Sequence, residues 1–388
     1  MTKKKFETNA IRTQLERSQH LEHSVPLYLT SSYVFEDAED MRASFAEEKN
    51  RNVYSRYSNP NTSEFIEKVC QMEGAEAGFA FASGMAAVFS TFAALLESGD
   101  HVVSCKSIFG STHSLFVNFF PKWNISTSYF NIDDVASIEK LITPKTKVLY
   151  AESPTNPAVD VLDLEVLGAI AKKHNLILII DNCFASPYLQ QPIKFGAHLV
   201  IHSGTKLMDG QGRVLAGITV GSADLIDKVY RFSRISGPAL SPFNAWVLSK
   251  SLETLAVRVD RHCSNALQLA EYLENHPKVN WVKYPFLKSH PQHAIAIKQM
   301  KAGGCIVAFE VKGGLKAGQE FFDAIKLLSL SANLGDSRSI VTHPASTTHS
   351  KLTVEDRESV GITDGTVRVS VGLEHIDDIM ADIQQALG

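Results

Sequence analysis

The 388-residue sequence predicts an α/β protein with a smaller α+β C-terminal domain. Three observations support this fold class: helical and strand patterns alternate between residues 61 and 250, residues 176–180 are all apolar, and the pattern changes after residue 251. An uninterrupted apolar run beside a helix is typical of a strand that is buried on both faces of a parallel sheet. Helices covering both faces of such a sheet define the α/β class.

The first segment, residues 1–60, is rich in Ser, Asn, Arg and Tyr and lacks long periodic stretches. This composition predicts an irregular arm, of the kind that often contacts a neighbouring subunit. The α/β domain follows at 61–250, with helices over 62–72 and 162–174 and strands over 147–151, 176–180, 198–202 and 214–220.

The C-terminal segment, residues 251–388, mixes helices and strands without regular alternation. Its pattern predicts a long helix over 242–274, strands over 280–282, 304–311 and 366–371, a helix over 319–328, and a last helix from Ile376.

Composition excludes several classes of protein. Hydrophobic residues make up 44% and charged residues 21%, which is ordinary for a globular chain and excludes disorder, collagen and coiled-coil filaments. The formal net charge of -4 gives no general attraction to nucleic acid. The five cysteines are an odd number without a CxxC pair, which argues against a disulfide framework or a zinc site and favours a reducing, cytoplasmic location. The N-terminus lacks the apolar region of a secretory signal.

Residues 79–96 are uncharged over 18 positions, the lower limit for a membrane span. Ser83, Gly84, Ser90 and Thr91 interrupt this stretch. We therefore predict a short strand, a turn at Ser83 and Gly84, and a buried helix ending near Gly99, with no membrane span. The 14 histidines form no HExxH motif and no ligand-spaced cluster with cysteine, so no metal site is predicted.

Asp181 and Lys206 carry the strongest chemical signal. Asp181 directly follows the apolar run, at the strand end where doubly wound sheets bind ligands. Lys206 comes 25 residues later, after another predicted strand, with Ser203 and Thr205 beside it. Pyridoxal phosphate requires a lysine amine for covalent attachment and a carboxylate facing its pyridine nitrogen. A structural ion pair or helix cap for Asp181, and a plain surface loop for Lys206, are the alternatives.

Two further segments are suited to a phosphate. Ser83, Gly84 and Met85 form a strand-to-helix turn, where free backbone N–H groups and the helix dipole attract anions. Tyr54 and Arg56 place a phenol and a guanidinium two residues apart. A simple tight turn and an ordinary polar loop remain the alternatives.

Seven motifs occur in one order along nearly the whole chain: Tyr54-x-Arg56-x-x-Asn59-Pro60, Ser83-Gly84-Met85-Ala86, Glu152-Ser153-Pro154-Thr155-Asn156-Pro157, Asp181-Asn182, Ser203-x-Thr205-Lys206, His343-Pro344-Ala345 and Arg368-x-Ser370-x-Gly372-x-Glu374. Together they resemble the Cys/Met-metabolism group of pyridoxal-phosphate enzymes. This resemblance implies the aspartate-aminotransferase-like (type I) fold, with a mostly parallel seven-stranded sheet. It also implies a homo-oligomer, with a tetramer built from two active dimers.

The resemblance also assigns roles to individual residues. Lys206 would hold pyridoxal 5'-phosphate covalently and then move protons, and Asp181 would keep the pyridine nitrogen protonated. Arg368 would bind the substrate α-carboxylate, with Asn333 as a second donor. The remaining cofactor contacts implied are Ser83, Gly84, Met85, Ser203 and Thr205 at the phosphate, Phe109 stacked on the ring, Asn156 as a further contact, and Tyr54 (also catalytic) and Arg56 from a neighbouring subunit.

Three departures from the family pattern reduce the number of activities within the family that fit this sequence. Phe109 stands where many members have a tyrosine, and it can stack but cannot transfer a proton, which argues against a lyase that depends on the phenol. Residues 333–336 read Asn-Leu-Gly-Asp instead of Ser-Leu-Gly-Gly, and residues 209–213 read Asp-Gly-Gln-Gly-Arg where many relatives have Gly-His. The combination looks like the O-succinylhomoserine sulfhydrylases, although the Asn-Leu-Gly-Asp piece also occurs in O-acetylhomoserine sulfhydrylases.

The expected function is a γ-replacement that converts O-succinylhomoserine and sulfide into homocysteine and succinate in methionine biosynthesis. O-Acetylhomoserine sulfhydrylase, cystathionine γ-synthase and γ-lyase remain alternatives within the family. A silent binding protein is disfavoured by the intact Asp181, Lys206 and Arg368, and a nicotinamide enzyme by the missing glycine fingerprint. Arg213 is a candidate contact for the succinyl carboxylate, and Cys183 is expected to be a small buried residue rather than a redox group.

Overall fold

A computed structural model describes residues 4–351, 353–358 and 360–388, and its larger sheet is mostly parallel. Within these residues seven strands form it in the order β1-β7-β6-β5-β4-β2-β3, and β7 alone runs antiparallel to its neighbours. This arrangement confirms the predicted sheet. The strands are β1 (Ala77–Phe81), β2 (His101–Cys105), β3 (Ser126–Phe130), β4 (Thr146–Glu152), β5 (Ile177–Asp181), β6 (Leu199–Ser203) and β7 (Gly217–Gly221).

Strand β5 lies at the centre of the sheet, between β4 and β6. Leu178, Ile179 and Ile180 are fully buried there, and each such side chain contributes about 1.5–3 kcal/mol of transfer free energy. The strand therefore occupies the place that its apolar sequence predicts. It ends at Asp181, which brings that carboxylate to the edge of the sheet.

The helices of the first 250 residues cover this sheet, and their starts follow the sequence. A capping box between Asn59 and Thr62 begins α3, and the Ser83 hydroxyl accepts from Ala86 N–H to begin α4. The helices are α1 (Phe6–Arg12), α2 (Ala38–Phe45), α3 (Pro60–Glu73), α4 (Gly84–Leu95), α5 (Gly110–Asn118), α6 (Ile138–Leu141), α7 (Leu164–His174), α8 (Ser186–Leu189), α9 (Ala223–Ser236) and α10 (Pro242–Leu252). Short 3₁₀ turns occupy Phe120–Trp123, Ile132–Ser137 and Pro192–Phe195.

The predicted arm is not wholly irregular, because it contains α1 and α2. Strands β2 and β3 were not predicted. Their polar residues hide the apolar pattern: buried His101 bonds Thr146 Oγ1 at 2.8 Å and Ser128 Oγ at 3.0 Å. Among the described helices, none is long and apolar enough to cross a membrane.

The second sheet is mostly antiparallel, with five strands in the described part of the chain in the order β10-β11-β12-β9-β8. These are β8 (Val279–Lys283), β9 (Ile306–Val311), β10 (Ser329–Leu330), β11 (Ile340–Thr342) and β12 (Thr366–Ser370). The accompanying helices are α11 (Leu255–Glu274), α12 (His293–Gln299), α13 (Gly314–Ala324), α14 (Val354–Glu358) and α15 (Ile376–Leu387), with a 3₁₀ turn at Pro344–Ser346.

Two predicted helices in this region were wrong in extent. The stretch 242–274 forms two helices. The Arg258 side chain and the Thr254 N–H donate to the Ser251 carbonyl, which in one continuous helix would accept from the N–H four residues later. Helix α13 ends at Ala324 rather than residue 328, because the Asp382 carboxylate accepts the next free N–H groups, those of residues 326–328.

Each sheet has its own hydrophobic core, and α11 passes from one core to the other. Cys263 belongs to the core of the larger sheet, and Ala266 to that of the smaller one. The boundaries proposed at residues 60 and 250 stay a prediction.

Candidate active site

A cavity of about 270 Å³ lies where the carboxyl ends of β4, β5 and β6 face β12 of the second sheet. Ten of the predicted site residues line it: Ser83, Gly84, Met85, Phe109, Asn156, Asp181, Ser203, Thr205, Lys206 and Arg368. Further lining residues that the sequence did not single out as site residues are Val88, Glu152, Cys183, Phe184, Ile201, Leu215, Ala332 and Leu334.

Asp181 lies at the floor of the cavity. Its Oδ1 accepts from Cys183 N–H at 3.0 Å, and within the described residues it forms no ion pair. Burial raises the pKa of its carboxyl to about 6, although the Cys183 N–H and His202 oppose the change. A protonated ring nitrogen placed opposite this carboxylate would supply the missing positive charge.

Lys206 lies in the turn that follows β6. Its Nζ donates to Asn333 Oδ1 at 2.6 Å, and its carbonyl accepts from Gly210 N–H at 2.8 Å. Burial lowers the pKa of the Lys206 ammonium, and the charge of Arg368 acts in the same direction. This shift favours the neutral amine, which is the form that attacks a carbonyl carbon.

The start of α4 forms a cradle for an anion. A Cβ at Gly84 would lie 2.9 Å from Ser203 Cβ, so only glycine allows this helix end to meet β6 so closely. The Thr205 hydroxyl bonds both the N–H and the carbonyl of Ala216, at 3.0 and 3.2 Å. Free N–H groups at the helix start and the Ser203 hydroxyl fit a phosphate group.

Arg368 enters the cavity from β12 on the opposite side. It donates to Asn156 Oδ1 at 3.0 Å and to the carbonyls of Ala332 and Asn333 at 3.2 and 3.0 Å. Within the part of the chain that the structure describes, its Nε has no hydrogen-bond partner and its charge has no carboxylate within 4.0 Å. Burial lowers the pKa of this guanidinium to about 10. An amino-acid carboxylate would satisfy both the charge and the free donor.

Glu152 is the site residue that sequence reasoning missed, although it stands in a quoted motif. It ends β4 directly beside Asp181, and its carboxylate accepts from Phe109 N–H at 2.8 Å and Asn156 N–H at 2.9 Å. Burial and the Asp181 charge raise the pKa of Glu152 well above its usual range. Its position at the end of a strand next to β5 was the available signal.

Tyr54 and Arg56 lie outside this cavity. They line an open surface depression of about 730 Å³ together with Met41 and Phe45 of the arm. The Arg56 guanidinium packs over the Tyr57 ring, 4.8 Å from its centroid, and donates to the Arg234 carbonyl. The structure of one chain therefore does not bring these two residues to the site.

Three other expectations meet a different geometry. Asn333 is not among the residues that line the cavity, and its Oδ1 accepts from Lys206 Nζ, a contact that uses the acceptor of its amide and not the donor. Arg213 is bound by the buried Asp209, with Nε to Oδ1 at 3.0 Å, and does not line the cavity, which argues against a direct contact with a succinyl group. Cys183 faces the cavity, and burial raises its pKa. No group of three or more His, Cys, Asp or Glu side chains that could hold a metal occurs among the described residues.

Known proteins resemble this chain over nearly its whole length. A family model described as Cys/Met metabolism PLP-dependent enzyme matches residues 7–388. The O-succinylhomoserine sulfhydrylase of Pseudomonas aeruginosa is 46% identical over 382 residues, covering 98% of this chain and 95% of that protein. The L-methionine gamma-lyase of Fusobacterium nucleatum is 40% identical, covering 100% and 99%. The solved structure of a putative O-acetylhomoserine (thiol)-lyase of Campylobacter jejuni, with N'-pyridoxyl-lysine-5'-monophosphate, has a TM-score of 0.94 at 36% identity and covers 98% of this chain and 99% of that one.

Proposed function

Because the chain belongs to the Cys/Met metabolism PLP-dependent enzymes, we propose that it makes homocysteine from O-succinylhomoserine and sulfide by γ-replacement. Pyridoxal phosphate, when bound, accepts the electron pair that is released at the substrate α-carbon. The protein supplies binding, orientation and proton transfer around that reaction. The observation that carries the proposal is Phe109, whose ring lines the cavity without a hydroxyl group.

Three of the predicted residues that line the cavity have the central tasks in this proposal. Lys206 attaches the cofactor through Nζ and, once released, takes up and returns protons at that atom. Asp181 places its charge against the ring nitrogen, and Arg368 binds the α-carboxylate and so fixes the orientation of the substrate. Ser83, Gly84, Met85 and Ser203 would contact the phosphate, and Phe109 and Asn156 would contact the rest of the cofactor. Thr205 lines the same cavity, but its N–H and its hydroxyl both donate to the Ala216 carbonyl.

Phe109 favours an ester as substrate over a thioether. A carboxylic acid has a pKa of about 4 and a thiol of about 8.5, so succinate departs as a stable anion whereas a thiolate benefits from a proton. A phenol at position 109 would be placed to deliver that proton, but phenylalanine cannot. The residue therefore supports replacement at an activated ester and disfavours lyase activity on methionine.

The first test is product analysis with the cofactor-loaded protein. We expect rapid formation of homocysteine from O-succinylhomoserine and sulfide, faster than from O-acetylhomoserine and faster than cystathionine formation when cysteine replaces sulfide. A faster reaction with the acetyl ester, or faster formation of cystathionine, would contradict the proposal and assign one of the related activities. If neither ester is turned over, the assignment to γ-replacement at an activated homoserine ester is contradicted.

The control for the role of Phe109 is the variant Phe109→Tyr. It is expected to raise lyase activity on methionine about tenfold or more, because a positioned general acid contributes up to about 10⁴-fold. Phe184→Tyr adds the same hydroxyl elsewhere on the cavity wall and is the matched control. Equal effects of the two variants would show that the position of the phenol is not what matters.

We further propose that the active unit is a homodimer in which Tyr54 and Arg56 reach the phosphate site of the neighbouring subunit, with two dimers forming a cytoplasmic tetramer. Within the described residues, Arg56 has no carboxylate within 4.0 Å, and Tyr54 lies in an open depression beside the exposed side chains of Met41 and Phe45. An unpaired guanidinium on an exposed apolar surface suits an interface that brings an anion.

Mixing two inactive variants tests this shared site. Arg56→Ala and Lys206→Ala subunits, unfolded and refolded together in equal amounts, are expected to regain about a quarter of wild-type activity, because half of the dimers are mixed and each mixed dimer has one intact site. The variants refolded separately are the controls. Absence of recovery, with mixed dimers demonstrated by affinity tags, would place Arg56 in the site of its own chain or outside the site.

A further inference from the structure

Two of the three departures from the family pattern, residues 209–213 and 333–336, lie in contact with each other beside Lys206. We propose that residues 333–338, here called the clamp, are a positioning device for Lys206: they hold both its amine and the turn that follows it. The clamp belongs to the region of the smaller sheet, whereas the turn 206–213 belongs to the larger sheet. This role concerns the lysine itself and does not depend on which substrate the enzyme uses.

The amine end is held by Asn333. Its Oδ1 accepts from Lys206 Nζ at 2.6 Å, and its backbone carbonyl accepts from the Arg368 guanidinium at 3.0 Å. One residue thus sets the separation between the cofactor lysine and the carboxylate-binding arginine. The Asn333 side chain is consequently engaged with the protein when the amine is free.

The backbone of the clamp lies against the backbone of the turn. Gly335 has a φ of +70°, and a Cβ there would lie 2.7 Å from the Leu207 nitrogen, so the close approach requires glycine. Two residues later, Ser337 N–H donates to the Gly210 carbonyl at 2.8 Å. These contacts fix the position of the turn relative to the smaller sheet.

Side chains then secure the far end of the turn. The exposed Arg338 pairs with the buried Asp336, Nε to Oδ1 at 2.9 Å, and its Nη2 donates to the Gln211 carbonyl at 2.8 Å. Gly212 packs against the same carboxylate: it has a φ of +66°, and a Cβ there would lie 2.6 Å from Asp336 Oδ2. The loop and the clamp are therefore fitted to one another.

The opposite side of the turn is held separately, because Arg258 of α11 donates to the Leu207 carbonyl at 2.8 Å. Because the clamp and Arg258 both hold the backbone of the turn, the long and flexible Lys206 side chain reaches only a small region of the cavity. Such restriction keeps a reacting group near its working geometry. Removing a contact between the clamp and the turn therefore loosens the turn on that side, while the hydrogen bond from Arg258 still holds it on the other.

The experiment uses the cofactor-loaded enzyme and the variant Arg338→Met. We expect hydroxylamine to release the cofactor from this variant about tenfold faster than from the wild type, because a loosened turn exposes the covalent bond between Lys206 and the cofactor to the small nucleophile. The loss of visible absorbance measures the release. Hydrogen exchange at the amides of residues 206–213 should rise in parallel. Arg338→Lys should recover part of the protection, since an ammonium can still donate to the Gln211 carbonyl. Gly212→Ala should have the same effect as Arg338→Met, produced from the loop side.

Lys298→Met is the matched control, because it removes an ion pair with Glu165 (2.5 Å) between α12 and α7, away from the lysine turn. It should change neither release nor exchange. The proposal is overturned if Arg338→Met and Gly212→Ala release the cofactor at the wild-type rate. It is also overturned if the control Lys298→Met accelerates release as much as these two variants do. Neither readout uses an amino-acid substrate, so failure of the sulfhydrylase assignment would leave this test intact.

Discussion

Replacing Lys206 with alanine is expected to abolish turnover, with a loss of at least about 10⁴-fold, and to remove the visible absorbance of protein-bound cofactor. Lys206 is the one lysine that lines the described cavity, which Asp181 and Arg368 also line. Alanine has neither the amine that attaches the cofactor nor a group that can move protons. The measurement is the steady-state rate, together with the absorbance spectrum after gel filtration.

Two comparisons make this result specific. Lys316→Ala, on the exposed surface of α13, should retain full activity and the full spectrum. Lys206→Arg keeps a positive charge but cannot form the covalent bond, and it should be as inactive as the alanine variant. Full activity in Lys206→Ala would refute the assignment of the site.

The second large effect is expected for Asp181→Asn, with a fall in kcat of about 10³-fold, in the range of a single electrostatic contact to developing charge. The amide has nearly the same shape but cannot stabilise a protonated ring nitrogen, so the ring withdraws electrons less strongly. The Glu152 carboxyl beside it does not substitute, because it is held by the N–H groups of Phe109 and Asn156.

This effect should appear in kcat more than in KM, because we assign the binding of the substrate α-carboxylate to Arg368 and not to Asp181. The exposed Asp227, paired with Arg231 on α9, supplies the matched control Asp227→Asn, which should behave as wild type. Retention of kcat within about threefold in Asp181→Asn would show that another group meets the ring nitrogen.

Much of the larger sheet could be predicted because its strands are buried on both faces. The apolar run before Asp181 has one favourable place in such a protein, at the centre of a parallel sheet, and that place decides where its last residue lies. Likewise, the Ser83–Gly84 turn identifies a helix start from local chemistry alone. These features depend on residues close together in the chain.

Other features depended on partners that are distant in the chain. The break between α10 and α11 follows from the Arg258 side chain, and the end of α13 follows from Asp382. Neither place carries a glycine or proline that would have marked it. Local periodicity therefore continued both helices beyond their actual limits.

By itself, the sequence determined the α/β class, the family and its cofactor, because strand burial and the order of seven motifs are properties of the chain read in one direction. Only the tertiary structure decided that Glu152 accepts hydrogen bonds from both Phe109 and Asn156, and that Arg213 donates to Asp209. It likewise decided that residues 333–338 contact the turn that contains Lys206. The physical reason is that a hydrogen bond needs two groups in contact, and Asn333 meets Lys206 across 127 residues. That meeting exists only after both sheets have packed.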